Sequence, residues 1–266
     1  MSVEIQNETA FHKVPEAVIF DTDNTIYPYE PAHRIAMDAT EEKATQLLGV
    51  SRTQFQYAYR EARNAIKKHL GETASSHSRL LYFQRAIETL GLRTQLLLTL
   101  DLEQTYWRTF LSSCEIFPEV RDFIHDIRSR GIHTAIITDL TSQIQFRKII
   151  YFGLDTLFDY VVTSEEAGVD KPAGVPFEIA LEKLKVAPER VWMIGDSATN
   201  DIRGARVFGM VTLQKCHQGV LVGKDDCAAD IVFHEFSELR RFFRKRYPAS
   251  SDLRNNVEEA SVVKVA

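Results

Sequence analysis

The chain has 266 residues, 44% of them of hydrophobic type, enough for one large α/β domain or a core domain with a smaller companion, and so for a buried cleft. A formal net charge of −5 and a pI near 5.9 exclude a general electrostatic attraction for a nucleic-acid polymer or an anionic membrane surface. No apolar run reaches signal-peptide length in residues 1–13 or approaches the ~18 residues of a membrane span later, so a soluble cytoplasmic enzyme is expected. Cys114, Cys216 and Cys227 are odd in number and lack short paired spacing, which points to structural thiols rather than a disulfide framework or zinc knuckle.

The first strand expected in chain order is Ala17-Val18-Ile19-Phe20. The next convincing one begins only at residue 132, and residues 31–111 between them read as helical throughout. Phe55, Ala58, Tyr59, Ala62 and Ile66 share one helical face, as do Leu80, Phe83, Ile87 and Leu90. Short runs rich in β-branched residues then recur at 132–138, 160–163, 191–194, 210–213 and 230–233. Between them lie helical patterns such as Val120-Phe123-Ile124-Ile127 and Phe177-Ala180-Leu181-Leu184. Alternating strand and helix predict the α/β class with a doubly wound parallel sheet. The expected division is a catalytic core of residues 14–28 and 115–246, a helical subdomain of 29–114, and flexible termini of 1–13 and 247–266. No internal repeat is present.

Chemistry-bearing residues sit where four of these strands end. Asp21-Thr22-Asp23-Asn24-Thr25 follows the first strand, the usual position for a ligand site in an open α/β sheet. Two close acids raise each other's proton affinity unless a cation intervenes, and magnesium accepts a few carboxylates plus carbonyl, water and phosphate oxygens. A surface turn is the competing reading. A calcium loop is not, because its sixth residue would be Ile26 and its twelfth Ala32.

Thr138 and Asp139 close the second motif, where a hydroxyl and backbone amides can bind a phosphoryl oxygen or cap a helix at 140–151. Lys171, in Val169-Asp170-Lys171-Pro172, precedes a helix at 175–185. A loop lysine is ordinarily solvated, but phosphoryl transfer needs a fixed cation. Gly195-Asp196-Ser197-Ala198-Thr199-Asn200-Asp201 offers Asp196 to a magnesium shell and Asp201 to Lys171 or a metal-bound water, with helix capping by Asp196 or Ser197 as the alternative.

Together these four motifs, in this order, resemble the haloacid dehalogenase (HAD) superfamily from about Val14 to Phe243, including a helical insertion directly after the first motif. The resemblance implies a Rossmann-like core with a mobile cap. It implies that Asp21 attacks phosphorus to form an aspartyl-phosphate, and that Asp23 protonates the leaving oxygen and later activates water. Thr138 would bind the phosphoryl group and Lys171 would stabilise its charge. Mg2+ would be held by the Asp21 carboxylate, the Asp23 carbonyl and Asp196, with Asp201 just outside. Asp139 departs from the frequent Asn or Gly, and Thr22 from a frequently apolar residue.

Dehalogenases and phosphonate-cleaving relatives lack an acid at the Asp23 position, so a phosphatase acting on a small phosphate monoester, such as a nucleotide or sugar phosphate, is the expected activity. A phosphomutase, or a noncatalytic protein that binds through its cap, is the alternative. Lys67, Lys68 and His69, then Ser75-Ser76-His77-Ser78-Arg79, predict a polar basic turn able to close over an anionic substrate. A solvated loop is the competing account. Lys67, His69, His77, Arg79 and Asp139 are therefore the candidate substrate contacts, and a monomer or homodimer is expected.

Overall fold

A computed structural model describes residues 3–248. The tail from Ala249, expected to be flexible, lies outside the described residues. Seven strands form one sheet in the order β1-β7-β6-β5-β2-β3-β4. They are β1 (Glu4–Ile5), β2 (Ala17–Phe20), β3 (His133–Thr138), β4 (Tyr160–Thr163), β5 (Val191–Gly195), β6 (Val211–Lys215) and β7 (Ile231–Phe233). All neighbours pair in parallel except β1, which runs antiparallel to β7.

The chain starts the parallel sheet at β2, adds β3 and β4 on one side, then returns to add β5, β6 and β7 on the other. The order of strands reverses between β2 and β5, so a crevice opens beyond their carboxyl ends.

β2 is buried at every residue because both faces of the sheet are covered. Val18 and Phe20 join Ile136, Trp192 and Ile194 on one face, and Ala17 and Ile19 join Ile137 and Met193 on the other. The first face is closed by α5 (Val120–Arg128) and α10 (Phe236–Arg246), whose Phe123 and Phe243 rings meet edge to face at 5.8 Å. α8 (Gly174–Leu184) closes the second with Phe177, Ala180 and Leu184.

Four helices separate β2 from α5: α1 (Tyr29–Leu48), α2 (Arg52–Leu70), α3 (Arg79–Thr89) and α4 (Leu96–Ser112). α1 packs on α4 and α2 on α3. The face expected from Phe55, Ala58, Tyr59 and Ala62 is buried. A reciprocal cap starts α2, with Ser51 Oγ accepting from the Gln54 amide and Gln54 Oε1 accepting from the Ser51 amide.

The described ends of the chain, residues 3–13 and 247–248, pack against the core. Residues 4–5 add a strand to the sheet edge, Phe11 is fully buried between Trp192 and Phe242, and the Tyr247 hydroxyl donates to the Phe11 and Lys13 carbonyls. These contacts join the two ends of the chain. A two-residue strand and single aromatic anchors have no periodicity to detect.

Candidate active site

The floor of the crevice is built at the carboxyl ends of β2, β3 and β5. The Asp21 amide donates to the Ile194 carbonyl at 2.9 Å, which extends the β2–β5 ladder by one residue and fixes the acid beside β5. Lys171, from the loop before α8, is 4% exposed rather than solvated. Its Nζ donates to Asp21 Oδ1 at 2.7 Å, Asp201 Oδ1 at 2.6 Å and the Ile137 carbonyl at 3.2 Å. Asp201 also accepts from the Ser197 amide at 3.0 Å. It lies on a π-helical turn, Ala198–Arg203, whose first turn Ser197 caps through the Asn200 amide. Its side chain lies directly against Gly195, where a Cβ would stand 2.4 Å from it, so only glycine fits.

Asp21, Asp196 and Asp201 each offer a carboxylate oxygen within 4.8 Å of the others. One ammonium, Lys171, bonds two of these three acids. Burial pushes the Asp21 carboxyl up, Lys171 pulls it down and the neighbouring Asp201 pushes it up again, for a net rise. Asp196 is raised by burial and by the charges of Asp21 and Asp201. Lys171 is held well above its ordinary value, because Asp201 and Asp21 outweigh the burial that opposes its charge. An acid-rich, oxygen-only donor set with this excess of negative charge fits Mg2+.

Thr138 ends β3 and its Oγ lies 2.7 Å from Thr22 Oγ, tying the first two motifs together. The helix-cap account of Thr138 is not observed: the next helix, α6 (Ser142–Tyr151), begins after Thr141. Asp139 Oδ1 accepts from the Lys171 amide at 3.0 Å, so this acid braces the lysine loop while still lining the cleft. Leu140 has φ 108°, uncommon for a residue with a side chain, and its amide donates to Ser164 Oγ at 2.9 Å. The short α7 (Ser164–Ala167) thereby anchors the turn.

Asp23 stands apart from the acid cluster. Lys148 Nζ, on α6, donates to Asp23 Oδ1 at 2.9 Å, and the Tyr27 hydroxyl donates to the same oxygen. Burial raises the Asp23 carboxyl, but Lys148 and Tyr27 overcome it and leave the group below its ordinary range. Lys148 is 1% exposed, with the Tyr27, Trp107 and Phe110 rings 5.4–5.6 Å away. Sequence reasoning missed both partners. The available signal was a lysine on the apolar stripe of α6, with Ile144 and Ile149, since a buried charge is the informative anomaly in such a stripe.

The helical insertion supplies the opposite wall. Lys67, His77 and Arg79 line the same 310 Å3 cavity as Asp21, joined by Arg63, Tyr29, Tyr82 and Trp107. His69 does not line it. α2 continues to Leu70, so the expected turn is the last turn of a helix. Residues two apart then point about 200° from each other, and His69 faces a separate hollow with Ala65, Leu81 and Arg85. His77 Nε2 is 2.9 Å from Asp170 Oδ2, one residue before Lys171, which links this wall to the floor. Arg79 donates to the His77 carbonyl at 2.8 Å and to the Tyr29 hydroxyl.

A model of the haloacid dehalogenase-like hydrolases matches residues 15–209, and the chain belongs to that family. It is 36% identical over 198 residues to the ribulose-1,5-bisphosphate 5-phosphatase of Halopiger xanaduensis, covering 74% of this chain and 83% of the relative. It is 31% identical over 203 residues to the glyceraldehyde 3-phosphate phosphatase of Methanopyrus kandleri, covering 75% and 83%. Its fold matches the HAD-hydrolase YfnB of Bacillus subtilis, solved bound to magnesium, with a TM-score of 0.65 and 20% identity over 87% of this chain and 100% of that one. Within the family the chain is a phosphatase. No helix among the described residues is long and apolar enough to cross a membrane.

Proposed function

We propose that the protein is a Mg2+-dependent phosphatase that hydrolyses small phosphate monoesters, sugar phosphates foremost, through an aspartyl-phosphate on Asp21. The observation that carries this reading is Lys171 bridging Asp21 and Asp201 at 2.7 and 2.6 Å while Asp196 faces the same point. That arrangement keeps Asp21 in place and leaves its second oxygen for phosphorus. The two relatives named for sugar-phosphate substrates support the substrate class.

Mg2+ would be held by the Asp21 and Asp196 carboxylates and the Asp23 carbonyl, and when bound it offsets the charge of the acids and of the phosphoryl oxygens. The protein's own groups do the rest. An Asp21 oxygen forms a bond to phosphorus as the bond to the leaving oxygen breaks, and Asp23 carries a proton to that oxygen. Water then adds its oxygen to phosphorus and gives a proton to Asp23, whose ionised form Lys148 and Tyr27 favour. The Asp21–phosphorus link breaks, inorganic phosphate leaves and both acids return to their starting state. Thr138 and Lys171 bind the transferring oxygens. A cytoplasmic setting fits three free cysteines.

The test is hydrolysis of 4-nitrophenyl phosphate with and without Mg2+. Wild type should be metal-dependent, and Asp21→Asn should lose activity by roughly 10³-fold or more, the scale of removing a covalent nucleophile. Retained turnover in Asp21→Asn would remove the aspartyl-phosphate from the mechanism.

A further inference from the structure

Arg63 and Lys67 lie one turn apart on α2, so both side chains project from the same face. Both line the cavity that holds Asp21 and Lys171. Neither has a hydrogen-bond or ion-pair partner among the described residues. Every cation bonded on the floor is paired with an acid: Lys171 with Asp21 and Asp201, and Lys148 with Asp23.

Arg79, at the start of α3, adds a third positive charge to the same wall. It is held by a carbonyl, a tyrosine hydroxyl and the faces of Tyr82, Tyr106 and Trp107, with no carboxylate bonded to it and its buried Nε unpartnered. Burial lowers the Lys67 ammonium and the charges of Arg63 and Arg79 lower it further, against a smaller opposing effect of Asp170. Three like charges gathered on one wall of the cavity, with no acid bonded to them, form a site for an anion.

We infer that the physiological substrate is a short-chain phosphate monoester carrying a second anionic group, a phosphate or a carboxylate, which Arg63 and Lys67 bind while the reacting phosphate lies beside Asp21 and Lys171. The inference rests on the phosphatase reading above and deepens it. The cavity volume of 310 Å3 is at the small end of ligand sites, which suits a chain of a few carbons spanning the two cationic positions. The reacting end is defined by acids that recruit a metal. On the helical wall the cations have no carboxylate bonded to them, and one molecule with an anion at each end satisfies both.

The experiment compares kcat/KM within two matched pairs, fructose 1,6-bisphosphate against fructose 6-phosphate and 3-phosphoglycerate against glycerol 3-phosphate, with 4-nitrophenyl phosphate as a reference. Wild type should prefer the doubly anionic member of at least one pair by about tenfold or more, the scale of one charge-assisted hydrogen bond. The pair showing the preference identifies the second anion as phosphate or carboxylate. In Arg63→Gln/Lys67→Gln that preference should fall to about twofold or less, mainly through KM. Arg85→Gln removes one charge from the same helical insertion but faces the separate hollow, and should keep the wild-type preference.

Absence of hydrolysis of every ester, 4-nitrophenyl phosphate included, would overturn the phosphatase reading itself. Hydrolysis of the aryl ester with no preference in either pair would overturn only the second-anion inference, as would a preference that survives Arg63→Gln/Lys67→Gln.

Discussion

The floor of the cleft and its helical wall solve opposite electrostatic problems. On the floor, Asp21, Asp196 and Asp201 crowd together on backbone that the sheet fixes, and Lys171 is the cation bonded to the first and last of them. On the wall, Arg63, Lys67 and Arg79 gather with no carboxylate bonded to them, while the one reaching acid, Asp23, pairs with Lys148. Asp21 and Asp23 are two residues apart, yet one carboxyl is pushed up and the other held down. Beyond its burial, the charge excess that raises Asp21 is what a bound cation would relieve, whereas the cations beside Asp23 already favour its ionised form. On the proposed reading, the reacting groups stand at the sheet's carboxyl ends and the groups that choose a substrate stand on the insertion.

The strongest way to break this contrast is to remove the floor's bridging cation. Lys171→Met leaves Asp21 and Asp201 buried without their shared partner. Breaking a buried pair from one side costs about 3–5 kcal/mol, so a clear fall in denaturation midpoint is expected at neutral pH. Turnover should fall at least as far as in Asp21→Asn. A variant that melts like wild type would show that the floor acids do not depend on Lys171.

Next in size is the reaching acid. Lys148→Met should release Asp23 and slow hydrolysis of an alkyl phosphate by about 10–100-fold, the range for a displaced general acid–base group. 4-Nitrophenyl phosphate should suffer less, since its leaving oxygen needs little protonation. Equal losses on the two substrates would show that Lys148 supports the fold rather than the proton transfer.

How much of this contrast was legible in the residues follows from its physics. The floor was readable because each functional residue follows an apolar β-branched run, and strand ends are where open α/β sheets place their ligands. Asp21, Thr138, Lys171 and Asp196 could each be located relative to such a run. The wall resisted because its chemistry depends on helix phase. Treating residues 67–69 as a turn put Lys67 and His69 on one side, whereas continuing α2 to Leu70 turned His69 away and brought Arg63 in. Lys148 was hidden for a related reason: its partner, Asp23, is 125 positions away, and only the packing of α6 beside the first motif brings the two together. β1 and the Phe11 anchor are too short to carry a period.

Gly195→Ala probes the floor without removing a charge. An added Cβ would meet the Asp201 side chain at 2.4 Å and displace it from Lys171 and the Ser197 amide. Groups that orient metal ligands typically account for about 10–100-fold in metal affinity, so a Mg2+ titration of activity should shift to higher concentration by at least that lower figure. An unshifted titration would separate Asp201 from metal binding and leave it only the lysine contact.

The smallest expected effect comes from an acid paired with cations far from the cleft, and it sets the baseline against which Asp23 is judged. Asp126 accepts from Arg240 and Arg244 at 2.7 Å each, between α5 and α10. Burial raises its carboxyl, and the hydrogen bonds and charges of Arg244 and Arg240 together more than offset this, leaving it below its ordinary range. A carboxyl lowered in the folded state contributes stability that is fully present above its unfolded value, near 3.9, and is lost as pH falls through the folded value. Asp126→Asn should therefore lower stability by about 1 kcal/mol at neutral pH, where its exposed partners limit the gain, and the gap to wild type should close in strongly acidic solution. Activity per folded molecule should not change. Lys148→Met and Asp126→Asn then share the same local event, a carboxylate losing its cation, and differ in whether turnover responds. If both variants lose only stability, the Asp23 pair is structural and the contrast between floor and wall reduces to packing.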